Sequence, residues 1–407
     1  MVMVDEIKIG QMSDLHLGYR QYGKFDRVTD FYGAAKNASE LLIENEVDFV
    51  VVAGDIFHRA RPYPIDQRHA IKIFSLFQRR GIPVYAIRGN HDASYAWSER
   101  QGGNELHVFE DLELVTLLED EYRECELSSG QIVRIWGMGY HGNTAMKKLN
   151  QLVESNKELF DDDIPNVLIL HEFLDNLVKS AKLNEYSLDL LGFDFISIGH
   201  YHGWWINDSQ SICSSGSTEH VSAAEWDEPE RSVALITLRK ESSKWNPSIE
   251  RIKYRVRPKI RKKLDFGVTT IDEVKAGVLK TVEELDKEDT IVRIDVTGTL
   301  SDSPSTLNVG EISSHATNVF HISIDSDLDY AGLPIRENIT DTEIMEDVFK
   351  ERFGIPESSV DDWVGLAKSM KELLIGSKDE RNEATQLDLL YKFTEKVSNE
   401  DLEEGTK

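Results

Sequence analysis

Apolar and polar positions through about residue 250 follow two rhythms. Short β-branched runs, Ile7 to Ser13, Phe49 to Ala53, Val84 to Ile87, Val167 to Leu170 and Phe195 to Ile198, read as buried strands. Between them lie stretches with apolar residues three or four apart. Phe25 to Glu44 carries Val28, Phe31, Tyr32, Ala35, Leu41 and Leu42, and Asp66 to Arg80 carries Ile71, Phe74 and Phe77, so both read as helices. The alternation predicts a layered α/β domain. From Arg251 to Lys263 eight basic residues occur without an acid, and a domain boundary is expected near them. A helix over Ile271 to Leu285 and strands over Ile291 to Val296 and Val319 to Ile324 then suit a small α/β domain. After Pro334 the pattern is helical and charged: Ile344, Val348, Phe349 and Phe353, then Leu387, Leu390, Tyr391, Thr394 and Val397. The expected organisation is a layered domain over 1–255, a small α/β domain over 256–334, a helical region over 335–397 and a disordered tail over 398–407. A chain of 407 residues exceeds the size at which one core usually stops growing.

The ends of these strands carry the candidate chemistry. They run into Asp14, Gly54-Asp55, Arg88-Gly89-Asn90-His91-Asp92, His171 and Gly199-His200, and open α/β sheets place their sites at such carboxyl edges. Asp14-Leu15-His16 and His200-Tyr201-His202 set two ligand-type side chains on alternate positions, facing one way. Gly54 lets the chain turn so that the Asp55 carboxylate reaches inward. Asn90 offers a neutral carbonyl oxygen and His171 another ring nitrogen. Oxygen and imidazole donors with one carboxylate able to bridge suit a pair of divalent ions. An Asp-x-His or a Gly-Asp alone says little; the reading rests on five such elements in order, each just past a strand. The remaining histidines, His69, His107, His141, His220, His315 and His321, read as surface or packing residues. Cys125 and Cys213 stand outside any Cys-x-x-Cys pair and read as buried small hydrophobes.

The order Asp-x-His, Gly-Asp, Gly-Asn-His-Asp, His, Gly-His-x-His resembles the calcineurin-like metallophosphoesterase superfamily. Within it, Ser13-Asp14-Leu15-His16-Leu17-Gly18-Tyr19 with Gly54-Asp55-Ile56-Phe57-His58-Arg59-Ala60-Arg61-Pro62 is similar to the meiotic-recombination-eleven family of DNA double-strand-break repair nucleases. The motifs span residues 8 to 220; past 265 the likeness rests on domain order. The resemblance implies a β-sandwich flanked by helices, a small α/β capping domain that binds DNA, and a C-terminal helical region. It implies two manganese ions, one held by Asp14, His16, Asp55 and His202 and the other by Asp55, Asn90, His171 and His200, with Asp55 as the bridge. His91 would stabilise the transition state or protonate the leaving 3′ oxygen, His58 would orient the DNA end, and Asp92 would hold His91. Arg59, Arg61, Arg255, Arg257, Lys259 and Arg261 are candidate phosphate contacts. The implied activity is 3′-5′ exonuclease and single-strand endonuclease action at DNA ends. The implied assembly is a homodimer with an SMC-like ATPase, Rad-fifty, docked on helices within 341–397. Ile71, Phe74, Phe77 and Trp97 are the expected dimer face. Two departures stand out: Glu172 follows His171 where glutamine is common, and Ser214-Ser215-Gly216-Ser217 lacks the usual proline. A small-substrate phosphodiesterase on the same scaffold and a DNA-end-binding scaffold are the rival readings.

Charge complicates the DNA reading. Forty-six Lys and Arg stand against 73 Asp and Glu, a net charge of −27 that would repel a polyanion in dilute buffer. In molar salt the Debye length shrinks to about 3 Å, so the composition points to a halophile that keeps high internal salt. No stretch approaches 18 consecutive apolar residues, and the first residues lack a basic region and a cleavage site, so a cytoplasmic, nucleoid-associated protein without a membrane span is expected.

Overall fold

The structure is a computed structural model that describes residues 6–92, 104–160, 163–181, 183–241, 244–301, 305–330, 340–351, 355 and 357–375. It clusters into two compact units. The first comprises the chain up to Arg261 with 287–292 and 319–321, and the second comprises the rest.

The first unit is a sandwich of two six-stranded sheets. Its strands are β1 (Glu6–Met12), β2 (Phe49–Val52), β3 (Val84–Ala86), β4 (Thr116–Leu117), β5 (Glu121–Glu126), β6 (Ile132–Met138), β7 (Asn166–His171), β8 (Phe195–Gly199), β9 (Trp205–Ile206), β10 (Ile212–Ser214), β11 (Glu230–Glu241) and β12 (Lys244–Arg255). One sheet runs β12-β11-β1-β2-β3-β4 and the other β5-β6-β7-β8-β10-β9. Successive side chains of a strand face opposite ways, and here both faces are covered, which is why the strands read as unbroken apolar runs. In β2, Phe49 and Val51 enter the core between the sheets, while Val50 and Val52 face the outer core. That outer core is closed by α1 (Phe25–Glu44) and α2 (Pro64–Gln78). In β7, Val167 and Ile169 point into the sandwich, while Leu168 and Leu170 meet α3 (Ala145–Glu154) through Leu149.

β1, β2 and β3 are parallel neighbours, as are β6, β7 and β8. Parallel pairing sends their carboxyl ends the same way within each sheet. The layered fold expected from the sequence is therefore what forms, with α1 at its expected bounds and α2 two residues early, where Pro64 can start a helix at no hydrogen-bonding loss. The hairpins β5-β6 and β11-β12 were not expected, because their polar outward positions mask the strand signal.

β13 (Lys259–Thr269), β14 (Ile291–Leu300) and β15 (His321–Tyr330) form a three-stranded sheet. In the second unit, α4 (Ile271–Leu285) starts in a capping box, with the Thr270 side chain accepting from the Glu273 N–H, and buries Val274, Val278 and Val282. Further on, α5 (Asp341–Glu351) and α6 (Glu357–Ile375) pack together, with Phe349 and Trp363 rings 5.9 Å apart. The expected helical positions Phe353, Leu387, Leu390, Tyr391, Thr394 and Val397, and the tail, lie outside the described residues. The basic run 251–263 is strand rather than linker for most of its length, ending β12 and opening β13. No helix among the described residues is long and apolar enough to cross a membrane.

Candidate metal centre

Each candidate ligand sits where a strand gives out, and at four of them the backbone is bent into an uncommon conformation. Asp14, His16, Asp55 and His200 all have φ between 44° and 74°, the left-handed region that side chains with a Cβ seldom occupy. The bends are braced across sheet neighbours: Asp14 N–H donates to Gly54 O at 3.1 Å, and His16 N–H to Asp55 O at 3.0 Å. Gly89 shows why this packing excludes larger residues, since a Cβ there would lie 2.0 Å from Asp55 Oδ1.

Two clusters result. Asp14, His16 and His202 bring their ligand atoms within 4.8 Å of one another, and so do Asp55, His171 and His200. Asn90 joins the second through Oδ1, 3.1 Å from His171 Nε2. Asp55 faces both: its Oδ2 lies 3.7 Å from His16 Nε2 and 3.4 Å from His171 Nε2. His58 and His91 form a third group with His16, and Tyr19 stacks on His58 with centroids 3.8 Å apart. The structure thus brings together every metal-type residue expected from the sequence.

The hydrogen bonds behind the clusters decide which ring nitrogen faces inward. His171 Nδ1 donates to Ala53 O at 2.7 Å, so in the neutral ring the Nε2 lone pair faces Asp55 and Asn90. His202 Nδ1 meets Glu225 Oε1 at 3.1 Å, leaving Nε2 toward Asp14 and 3.3 Å from His16 Nε2. Imidazole nitrogens and carboxylate oxygens thus converge, while the His200 and His91 backbone N–H groups hold Asp14 and Asp55 Oδ1 in place. Asp55 Oδ2 is buried and has no hydrogen-bond partner, a costly arrangement that a bound cation relieves. The pKa directions show that the carboxylates draw positive charge into the centre. Burial would lower His171, yet Asp55 beside it raises it to about 10; burial and then His171 push His200 down to about 3. Burial raises Asp14, whereas the histidines hold Asp55 well below the carboxylate range despite burial. The centre attracts positive charge and is built from donors that hold divalent ions, so its residues fit a metal pair.

Other expected residues fall differently. Asp92 does not hold the His91 ring; its carboxylate accepts from the N–H groups of Ile56, Phe57 and Gly89 at 2.9–3.1 Å, tying the Asp55 loop to the Asn90 loop. His91 instead donates through Nδ1 to His58 O at 2.9 Å, and its N–H donates to Asp55 Oδ1. Glu172 binds no ring: Oε1 accepts from His141 and Gly142 N–H at 2.5 and 2.7 Å, a task an amide oxygen performs equally, which makes the departure from glutamine a mild one. The Lys259 side chain is 1 % exposed and bonded to Glu219 at 2.7 Å, and Arg257 is clamped on Asp30, so neither presents its charge to solvent as a phosphate contact should. Arg255 and Arg261 are exposed, and Arg59 lies over the Tyr63 ring. Phe74 and Phe77 correct the expected dimer face: both are fully buried against the first sheet, because the apolar stripe of α2 is consumed by its own core. Ile71 packs on that core in part, and Trp97 lies outside the described residues.

Sequence reading missed Glu225 and Arg231. Besides His202, Glu225 binds the N–H groups of Val221 and Ser222 and is held at about 2: burial alone would raise it, and the bond from His202 lowers it. The signal that could have found it is Ser222-x-x-Glu225, a capping box. Arg231 locks the ligand loop by donating to Ser217 O at 2.8 Å and to His202 O.

Comparison with known proteins agrees with this geometry. Residues 7–204 match the calcineurin-like phosphoesterase family. The DNA double-strand break repair protein Mre11 of Archaeoglobus fulgidus is 29% identical over 239 residues, covering 54% of this chain and 52% of that protein. The protein of the same description from Methanosarcina acetivorans is 28% identical over 327 residues, 76% of this chain and 48% of its own length. That of Sulfolobus acidocaldarius is 25% identical over 296 residues, 71% and 74% respectively. The chain spans about half the length of the first two relatives. Residues 7–204 thus carry the match to a calcineurin-like phosphoesterase domain, and the chain is similar, at 25–29% identity, to archaeal proteins described as Mre11.

Proposed function

We propose that this chain is a metal-dependent nuclease that hydrolyses phosphodiesters at DNA double-strand-break ends. The observation that carries the reading is Asp55 Oδ2, buried, without a hydrogen-bond partner, and faced by one imidazole of each cluster. A carboxylate so placed would be shared by two ions. Asp14, His16, Asp55 and His202 would hold one and Asp55, Asn90, His171 and His200 the other, and manganese suits this mixed oxygen and imidazole set. Such a pair, when bound, activates water at neutral pH and offsets charge on the phosphoryl oxygens. The chain's own residues do the rest. His91, fixed through Nδ1, keeps Nε2 as the nitrogen that exchanges a proton with the leaving 3′ oxygen. His58, half-buried between Tyr19 and His91, orients the end, and burial keeps it neutral by lowering its pKa to about 4.

The DNA substrate is suggested by what the relatives are called. Exonuclease and single-strand endonuclease action, a homodimer, an SMC-like ATPase docked on the C-terminal helices, and an organisation of nuclease (1–255), capping (256–334) and partner-binding (335–397) segments belong to the same proposal. So does a saline cytoplasm, which the net charge of −27 favours. The test pairs calorimetric manganese titration with digestion of an end-labelled duplex in high salt. His91→Ala should bind manganese normally and cut no DNA, whereas Asp55→Ala should lose the ions. Loss of manganese by His91→Ala defeats the assignment, and a wild-type protein that hydrolyses bis-p-nitrophenyl phosphate but spares DNA makes it a small-substrate diesterase.

A further inference from the structure

We infer that Tyr140 is the stacking platform for the nucleobase attached to the phosphate under attack, an inference that rests on the nuclease reading above and adds to it how a nucleotide is gripped. Tyr140 follows β6, whose parallel neighbour β7 ends at His171. Its ring stands edge-on to His200, centroids 5.4 Å apart, and to His171 at 6.4 Å, both in the second cluster. It nevertheless remains 43% exposed. A large aromatic ring that touches two candidate ligands and still faces solvent is placed at the rim of the centre, where a substrate passes.

The loop that carries it is fixed from three sides. Tyr140 N–H donates to Arg88 O at 3.1 Å, two residues before Asn90. His141 and Gly142 both donate to Glu172 Oε1, on the residue after His171. His141 Nε2 also meets Asp120 Oδ1 at 2.7 Å, and Lys148 reaches Asp120 at 3.1 Å. The tyrosine is therefore tied to the loops of two candidate ligands and cannot drift relative to them. A base that stacks on a ring already held in place incurs little ordering loss, so most of the contact appears as affinity. Stacking accepts every base, since each presents a π face, and the grip is on nucleotides in general rather than on a sequence.

The test measures equilibrium binding of a fluorescent oligothymidylate and of its abasic counterpart by anisotropy, without metal so that no cleavage intervenes, and steady-state cleavage of both with manganese. Tyr140→Ala should weaken binding of the base-bearing strand about tenfold and raise KM by a like factor, the range expected for one lost stack. Tyr140→Phe should restore both, because the ring and not the hydroxyl does the holding. Abasic strand should bind the alanine variant and wild type alike. Equal losses on both strands would mean that the ring only props His200, and no loss on either would mean that it holds nothing; each overturns the inference while leaving the nuclease reading intact. A wild-type protein that neither binds nor cuts the oligothymidylate overturns both together. Tyr140→Leu, which keeps an apolar bulk against His200, guards against misfolding, and it should behave as the alanine variant does.

Discussion

Two clusters of charge are buried in the first unit, and they are resolved in opposite ways. Around Glu219 every charge finds its opposite. Arg27, fully buried, meets Glu219 at 3.4 Å and Asp30 at 2.5 Å; Lys259 meets Glu219 at 2.7 Å; Arg257 meets Asp30 at 2.7 Å. Gln21 Oε1 accepts two further N–H groups of Arg27, so few donors are left over. The strand-end cluster of Asp14, His16, Asp55, His171, His200 and His202 gathers ligand atoms that no Lys or Arg closes, and Asp55 Oδ2 has no hydrogen-bond partner among them. Burial alone therefore does not mark a site. A buried cluster that closes on itself serves the fold, whereas one left rich in acceptors is completed from outside.

The largest expected effect separates the two directly. Glu219→Gln leaves Lys259 buried with its counter-charge removed and Arg27 with Asp30 alone, and should destabilise the protein by about 3–5 kcal/mol in urea unfolding. Because burial raises Glu219 but contacts with His220, then Lys259 and Arg27, hold it well below its ordinary 4.5, its contribution is complete above that pH and fades as pH falls; the variant should show a flatter acid limb. Manganese affinity of the folded variant should not change. A variant that keeps its stability and loses manganese would erase the distinction between the clusters.

Glu225→Gln probes the other cluster. It keeps an oxygen for His202 Nδ1 but removes the charge behind it, and manganese affinity should fall about 10- to 100-fold in calorimetric titration. Unfolding without metal should shift as well, since Ser222 N–H is bound by Oε1 and Val221 N–H by Oε2, and the amide keeps one oxygen of the two; a loss of manganese affinity larger than this loss of stability marks the role of the charge.

Asp194→Asn sharpens the comparison by isolating burial from pairing. Asp194 accepts from Asn166 N–H at 2.8 Å, and burial raises it from 3.8 to about 6. The folded chain thus holds this proton more tightly than the unfolded chain, so stability falls as pH rises from about 4 to about 6 and the loss is complete above that. The amide variant should be more stable by about 1 kcal/mol at pH 7 and should lose the slope between those values. A variant less stable at pH 7 would mean that the ionised carboxylate is itself supported by the fold.

Much of this was legible along the chain because its chemistry is local. Val50 to Val52 announce a strand covered on both faces, and Asp55 comes within the same segment, so element and ligand are read together. Glu225 was missed because its tie to His202 spans 23 residues and is made by the path of a loop. Lys259 reads as a surface base because the acids that surround it, Glu219 and Asp30, are far off in sequence. Phe74 and Phe77 teach the same about patterns. A period of three or four reveals that a helix has an apolar face, and what covers that face is decided by β-strands elsewhere.

The left-handed backbone at Asp14, His16, Asp55 and His200 also sets a direction for drift. Each such residue stores strain on the order of 1–3 kcal/mol, and glycine in its place would release much of it. Substitutions that erase the ligands are thus among those that stabilise the chain most readily. A lineage selected for heat resistance alone would shed these side chains early, keeping the sandwich and losing the centre. Inactive descendants of this fold should accordingly be more robust than their active ancestors, and glycine at these four positions would be the trace of that history.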